Sequence, residues 1–250
     1  MLTYIITTKG FVERHSAIVE QAVKYNLKVQ FVWRYDKDDL DSADFMRFED
    51  DSLSPQAKSC LLKHFEAQSR LLDGEDSVCL ILEDDALLSD EFDVKLSDTL
   101  TLANKLEGPW LIFLGGMDNA LDSRFFESAS IALIESWLTT AEAYLVNRES
   151  CLMRMRWLMN NTVRLPADHL LTHIDRDLSI PQYRVSKPFV TQGSITGRFK
   201  SSLDSSRIGK TSWYLRARYT WNRFRNQLIP RFLFRSRSRL LGLFNQIDVR

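Results

Sequence analysis

At 250 residues the chain can bury one large core, or a core with an appendage. Its apolar share of 44% and charged share of 26% suit a soluble globular protein, and no apolar run approaches the roughly 20 residues of a membrane-spanning helix. The formal charge of zero hides a division, because from Arg198 onward thirteen bases face two acids, which leaves twenty bases and thirty-one acids before it.

The pattern predicts a strand over TYIIT at 3–7, a helix over 13–25 with Ile18, Ala22 and Tyr25 on one face, and a strand over 28–33. This is a β-α-β opening. Residues 36–51 are acid-rich without apolar period and read as a loop; they lack the glycine and final glutamate of a calcium-binding loop. Ser54-Pro55 starts a helix with Ala57, Leu61, Phe65, Gln68 and Leu72 in a stripe, and Gly74 stops it. Strand 78–82 ends in Glu83-Asp84-Asp85. A helix over about 90–106 precedes strand 110–114, which runs into Gly115-Gly116. Further strands are expected near 129–134 and 142–147, then a helix from about 149 to 159. The Ser-rich stretch from Gly193 to 206 reads as a mobile loop or linker. No secretory signal is expected at the N-terminus. Cys60, Cys79 and Cys151, odd in number and without metal-ligand spacing, read as buried thiols in a reducing cytoplasm.

Alternating strands and helices indicate an α/β domain with a mostly parallel sheet, whose ligands bind at the carboxyl ends of the strands. Thr7, Thr8 and Lys9, Glu83 to Asp85, and Gly115-Gly116 all fall at such ends. Three acids after an apolar strand are costly unless paired or metal-bound. Extended backbone puts Glu83 and Asp85 on one side and Asp84 on the other. Glu83 and Asp85 therefore form a candidate site for Mg²⁺ or Mn²⁺. The competing reading has the acids capping the next segment and facing water.

The segment LSPQAKSCLLKH followed by VCLILEDDALLSDEF resembles the core signature of glycosyltransferase family 25, the lipopolysaccharide-type β-galactosyltransferases. YIITTKGFVER, WLIFLGG, TTAEAYLVNRESCLMRM, and LPADHLLTHI with the Lys187–Ser194 stretch agree in order and spacing, so the resemblance spans about residues 2–207. It implies a GT-A-like nucleotide-sugar-binding fold, an inverting mechanism, a divalent metal and a UDP-sugar donor, galactose by default. It implies a lipid-linked glycan acceptor at the inner face of the cytoplasmic membrane. Departures stand at Gln56-Ala57 (Gly-Glu in the family), Lys63 (Ser) and Glu142 (a small residue or His), and bear on sugar choice and activity.

Asp168 matches the family's Pro-x-Asp segment and is the candidate general base; the alternative is a helix cap. Arg14 matches a basic position after the first strand and can pair with a diphosphate, as can Lys9; both equally suit solvated surface positions. His64 reads as a helix-end residue packed on the sheet, with a site role as the alternative. His169 and His173, four apart, share a helix face and offer a zinc pair or one acceptor-cleft residue. Asp118 is a possible acceptor contact. The domain division is 1–207 for the transferase and 208–250 for a basic, aromatic helical tail suited to an anionic membrane surface. Packing of that tail on the acidic body is the alternative, and no nucleic-acid motif accompanies it. Competing functions are a metal-dependent phosphoesterase and a non-catalytic binding protein.

Overall fold

The computed structural model describes residues 1–40, 47–48, 53–116, 119–120, 124–127, 130–200, 209–234 and 236. The opening unit follows the sequence pattern. Strand β1 (Thr3–Ile6) is buried throughout, α1 (Val12–Lys24) turns Ile18 and Ala22 inward, and β2 (Val29–Val32) returns parallel to β1. The acid-rich stretch contains a strand fragment, β3 (Arg47–Phe48), while residues 41–46 and 49–52 lie outside the described residues.

Helix α2 (Pro55–Asp73) begins where its caps dictate. The Ser54 hydroxyl accepts from the Ala57 N–H at 3.3 Å, Pro55 occupies the first turn, and Gly74 stands at the end. Its buried face is wider than the apolar stripe, because Ser59, Lys63 and His64 are buried as well. Strand β4 (Val78–Glu83) carries the acidic triplet out of the sheet into β5 (Ala86–Leu88), and α3 (Phe92–Ala103) leads to β6 (Leu111–Phe113). After the short α4 (Arg124–Glu127) come β7 (Leu133–Glu135), placed slightly later than its pattern suggests, and β8 (Ala143–Asn147). Asn147 then caps α5 (Arg148–Asn160), accepting from the Ser150 N–H at 3.1 Å. Next are β9 (Thr162–Val163), α6 (Ala167–Asp177), β10 (Gln182–Val185), β11 (Val190–Gln192) and α7 (Gly193–Thr196).

The seven-stranded sheet has the order β2-β1-β4-β8-β6-β10-β7. It is mostly parallel, as the alternation of elements requires; β8 runs antiparallel between β4 and β6, and β7 runs antiparallel at the edge. Helices α2, α5 and α6 pack one face, while α1 and α3 pack the other. The first layer is tied by a buried polar knot. Arg154 on α5 grips Asp175 on α6 through two hydrogen bonds of 2.7 and 2.8 Å, and Gln182 on β10 donates to the same carboxylate at 2.7 Å.

Helix α8 (Ser212–Arg223) continues through a π turn at Phe224–Leu228 and remains helical to 234. It lies against α7 with Leu215 buried, and Gln227 donates to the Asn119 carbonyl at 3.0 Å. Its other side leaves Trp221, Phe224, Leu228 and Phe232 exposed in a stripe at helical spacing. No helix among the described residues is long and apolar enough to cross a membrane.

Candidate active site

The three acids at the end of β4 meet three sets of partners. Asp84 turns toward the first βαβ unit, where the Thr7 hydroxyl donates to it at 2.7 Å and the Arg14 guanidinium pairs with it at 2.7 Å. The single Thr7 proton goes to Asp84, so His15 Nε2, 2.6 Å from the same oxygen, is the donor there. Glu83 and Asp85 are reached instead by the segment entering α7. Gln192 donates to Glu83 Oε2 at 3.1 Å, and the Ser194 N–H donates to Asp85 Oδ2 at 3.1 Å. The Gly193 N–H also donates to the Asp85 carbonyl at 2.7 Å. Asp85 Oδ1 is buried without a hydrogen-bond partner among the described residues.

The expectation of a mobile loop from Gly193 is therefore corrected for residues 193–200. Their backbone is folded against the acidic corner, and Arg198 and Phe199 donate back to the Gly193 carbonyl. Residues 201–206 lie outside the described residues. Gly193 is required by close approach, since a Cβ there would stand 2.8 Å from the Asp85 carbonyl oxygen and 2.5 Å from the Phe199 ring.

Crowded carboxylates raise one another's pKa, and burial adds to this. Burial, then the Asp84 and Asp168 charges, push Glu83 up to about 7. Burial and the Glu83 charge lift Asp85 to about 6. Glu142, whose own Cβ lies one residue before β8, is raised to about 7 chiefly by burial. Its carboxylate accepts the Gly116 N–H at 2.7 Å and fills the space where a Gly115 Cβ would sit, 2.0 Å away. Gly115 and Gly116 thus back onto Glu142. Asp118 lies outside the described residues.

Beside this cluster a cavity opens between β1, α1 and α2. It is lined by Thr7, Thr8, Arg14, Lys37, Gln56, Cys60, Lys63, Glu83 and Asp84 among others. Lys63 is 1% exposed, and its ammonium is held by the Asp36 carboxylate and the Thr7 carbonyl. This explains what a lysine does at that position: it fixes a positive charge in the wall and ties the end of β1 to the turn after β2. Arg14 also donates to the Lys200 carbonyl. Lys9 contributes its backbone N–H to Asp36 at 3.2 Å, while its ammonium pairs with Asp39 at the surface.

Asp168 is half-buried in the first turn of α6, with Oδ1 accepting the His169 N–H at 2.9 Å. Pro166, not Asp168, occupies the cap position. The fold brings Asp168 close enough for its charge to act on Glu83, His64 and Cys60. His64 is not at a helix end; it is in the middle of α2 and fully buried, and burial lowers its pKa to about 4. His169 is exposed, and His173 lies 3.6 Å from Asp177 and edge-on to Trp157. Neither belongs to the group of potential metal ligands found among the described residues, which is Cys60, His64 and Glu83. Cys60 is thus half-buried beside a histidine and a carboxylate, against the expectation of a buried thiol without metal-ligand spacing, while Cys79 and Cys151 are buried.

Sequence reasoning marked Lys63 only as a departure from the family pattern, and it missed Asp36, Gln192 and Ser194 as members of the site. A lysine amid the apolar face of α2 was the available signal for Lys63; the others act through contacts distant in sequence.

A mostly parallel α/β sheet with a carboxylate cluster and a cavity at its strand ends has the layout of a ligand-binding α/β domain. Residues 1–149, more than half of the chain, match the model of glycosyltransferase family 25 (LPS biosynthesis protein), and the chain belongs to that family. It is a glycosyltransferase. A search of curated proteins found no match. Among solved structures, S. aureus TarS 1-349 is 12% identical over 91% of this chain and 73% of its own, with a TM-score of 0.41. The galactosyltransferase LgtC, in complex with donor and acceptor sugar analogues, is 13% identical over 91% of this chain and 96% of its own, with a TM-score of 0.36. The family match carries the assignment.

Proposed function

We propose that the enzyme is a metal-dependent, inverting glycosyltransferase that moves a sugar, galactose by default, from a UDP-sugar to lipopolysaccharide or another cell-surface glycan. The observation that carries this reading is the crowding of the Glu83 and Asp85 carboxylates beside a cavity whose wall also holds Arg14, Lys37 and Lys63. The unpartnered Asp85 Oδ1 and the raised pKa values of both acids fit a hard divalent cation, Mg²⁺ or Mn²⁺, at that corner. Such an ion, when bound, supplies charge stabilisation to the leaving diphosphate.

The chain's own residues do the rest. Arg14 and Lys63 line the cavity with their charges held in place by Asp84 and Asp36, and an anionic ligand there would share these cations with those carboxylates. Asp168 has one carboxylate oxygen engaged by its neighbour's N–H, leaving the other to take the proton of the acceptor hydroxyl. Residues 1–207 constitute the transferase, and the tail brings it to the inner face of the cytoplasmic membrane, where a lipid-linked acceptor resides. The exposed Trp221-Phe224-Leu228-Phe232 stripe, flanked by Arg218, Arg223, Arg225 and Arg231, supports that role.

The test is a calorimetric titration of UDP-sugars with and without Mn²⁺. The parent should bind UDP-galactose in a Mn²⁺-dependent manner, and Asp85→Ala should lose that dependence while keeping its circular dichroism. Equal binding by the two proteins in Mn²⁺ would remove Asp85 from the site.

A further inference from the structure

Behind Glu83 lies a group that the donor reading leaves without a task. Cys60 and His64 are four residues apart on α2 and share one helix face, turned toward the end of β4. Ligand atoms of Cys60, His64 and Glu83 all lie within 4.8 Å of one another. His64 Nε2 is fully buried, stands 3.5 Å from Glu83 Oε1, and has no hydrogen-bond partner among the described residues. The other ring nitrogen, Nδ1, lies 3.0 Å from the Tyr144 hydroxyl, and the two rings stack with centroids 5.8 Å apart. Tyr144 thus fixes the imidazole with its free nitrogen aimed at Glu83, the arrangement by which outer partners orient a metal-ligating histidine.

We propose that Cys60, His64 and Glu83 form a cation site of the Zn²⁺ class, which shares the Glu83 carboxylate with the hard-cation corner at Glu83 and Asp85. The donor set decides the class, since sulfur and imidazole nitrogen with one carboxylate suit Zn²⁺ and poorly suit Mg²⁺ or Mn²⁺. The spacing agrees. A tetrahedral Zn²⁺ with bonds of about 2.0–2.1 Å to nitrogen and oxygen sets those two atoms about 3.4 Å apart. The 3.5 Å between His64 Nε2 and Glu83 Oε1 meets this without movement. The Cys60 sulfur, within 4.8 Å of both atoms, has to move closer for all three to reach one ion. On binding, the thiol proton leaves for solvent as the sulfur–metal bond forms. Cys60 and Glu83 both line the cavity, so the fourth position opens toward it and takes water or an anionic oxygen. The Oε1 atom of Glu83 is engaged, while Oε2 remains with Gln192.

The experiment uses the full-length, reduced, metal-free protein and Co²⁺ as an optical stand-in for Zn²⁺. Its outcome does not depend on which sugar nucleotide the enzyme uses, because no donor is present. The parent should develop a thiolate-to-cobalt charge-transfer band that Zn²⁺ abolishes and excess Mn²⁺ leaves in place. Cys60→Ser, checked for folding by circular dichroism, should lose the band, and Cys79→Ala and Cys151→Ala should keep it. Tyr144→Phe should keep the band but weaken affinity about 10–100-fold, the usual effect of losing an outer partner. Absence of the band in the parent, its survival in Cys60→Ser, or displacement by Mn²⁺ as readily as by Zn²⁺ would overturn the proposal.

Discussion

Glu142→Gln isolates the cost of burying the charged Glu142 carboxylate beside the acidic cluster. The side chain is 4% exposed, so its charge is little screened by solvent, and its pKa is raised from 4.5 to about 7. A carboxylate whose native pKa exceeds its unfolded value binds more protons in the folded state between those two values. Stability therefore falls as pH rises from about 4.5 to about 7 and stays low above it. At 1.36 kcal/mol per unit, a rise of about 2.5 units corresponds to a ceiling of about 3 kcal/mol. Glutamine keeps the shape and an oxygen for the Gly116 N–H but carries no charge. The variant should therefore be more stable than the parent by about 2–3 kcal/mol near pH 8, with the advantage vanishing near pH 4.5. Urea denaturation at both pH values, without divalent ions, measures this. A stabilisation of equal size at the two pH values would place the effect in packing, and a loss of stability near pH 8 would refute the electrostatic reasoning.

Asp168→Asn should retain donor affinity and lower turnover by about two to four orders of magnitude, the range for losing a general base; near-normal transfer moves the role elsewhere. Gly193→Ala should cost about 1–3 kcal/mol by overpacking and, by displacing Asp85, weaken Mn²⁺-dependent donor binding in the same titration. Asp175→Ala strands the buried Arg154 guanidinium and should destabilise by about 3–5 kcal/mol in chemical denaturation. The full-length chain should sediment with anionic vesicles, less so as salt rises over a Debye length of about 8 Å, and not with neutral ones. Truncation after Arg207 should abolish this, and equal pelleting of both forms would sink the membrane role of the tail.

Local pattern made much of the fold legible. The β-branched run at 3–7, the Ser54-Pro55 cap of α2 and the apolar 78–82 run each carry their own signal within a few residues. The direction of β8 was not legible, because a short buried strand reads alike parallel or antiparallel. The acidic triplet announced itself by the cost of three carboxylates after an apolar strand. What surrounds it did not, for physical reasons. Gly193 and Ser194 act through backbone N–H groups, which composition cannot register, so a Ser- and Gly-rich stretch looked like a linker. Lys63 pairs with Asp36, 27 positions earlier, and only the crossing of α2 over the end of β1 joins them. His64 looked terminal because the family pattern ends there, while the helix continues to Asp73.

The hold of Gln192 and Ser194 on Glu83 and Asp85 also sets an order of assembly. Each of these contacts bridges 109 positions in sequence. A nascent chain released as far as residue 149, where the family match ends, has already made the acidic triplet and most of the sheet. It still lacks β10, β11 and the donors that fix the Asp85 carboxylate. Closing so long a loop comes late, since its entropy is lost before the contact is gained. Synthesis therefore delivers the acids early and their orientation last. A ribosome that stalls in between leaves a product with the family's signature intact and its acidic corner unshaped.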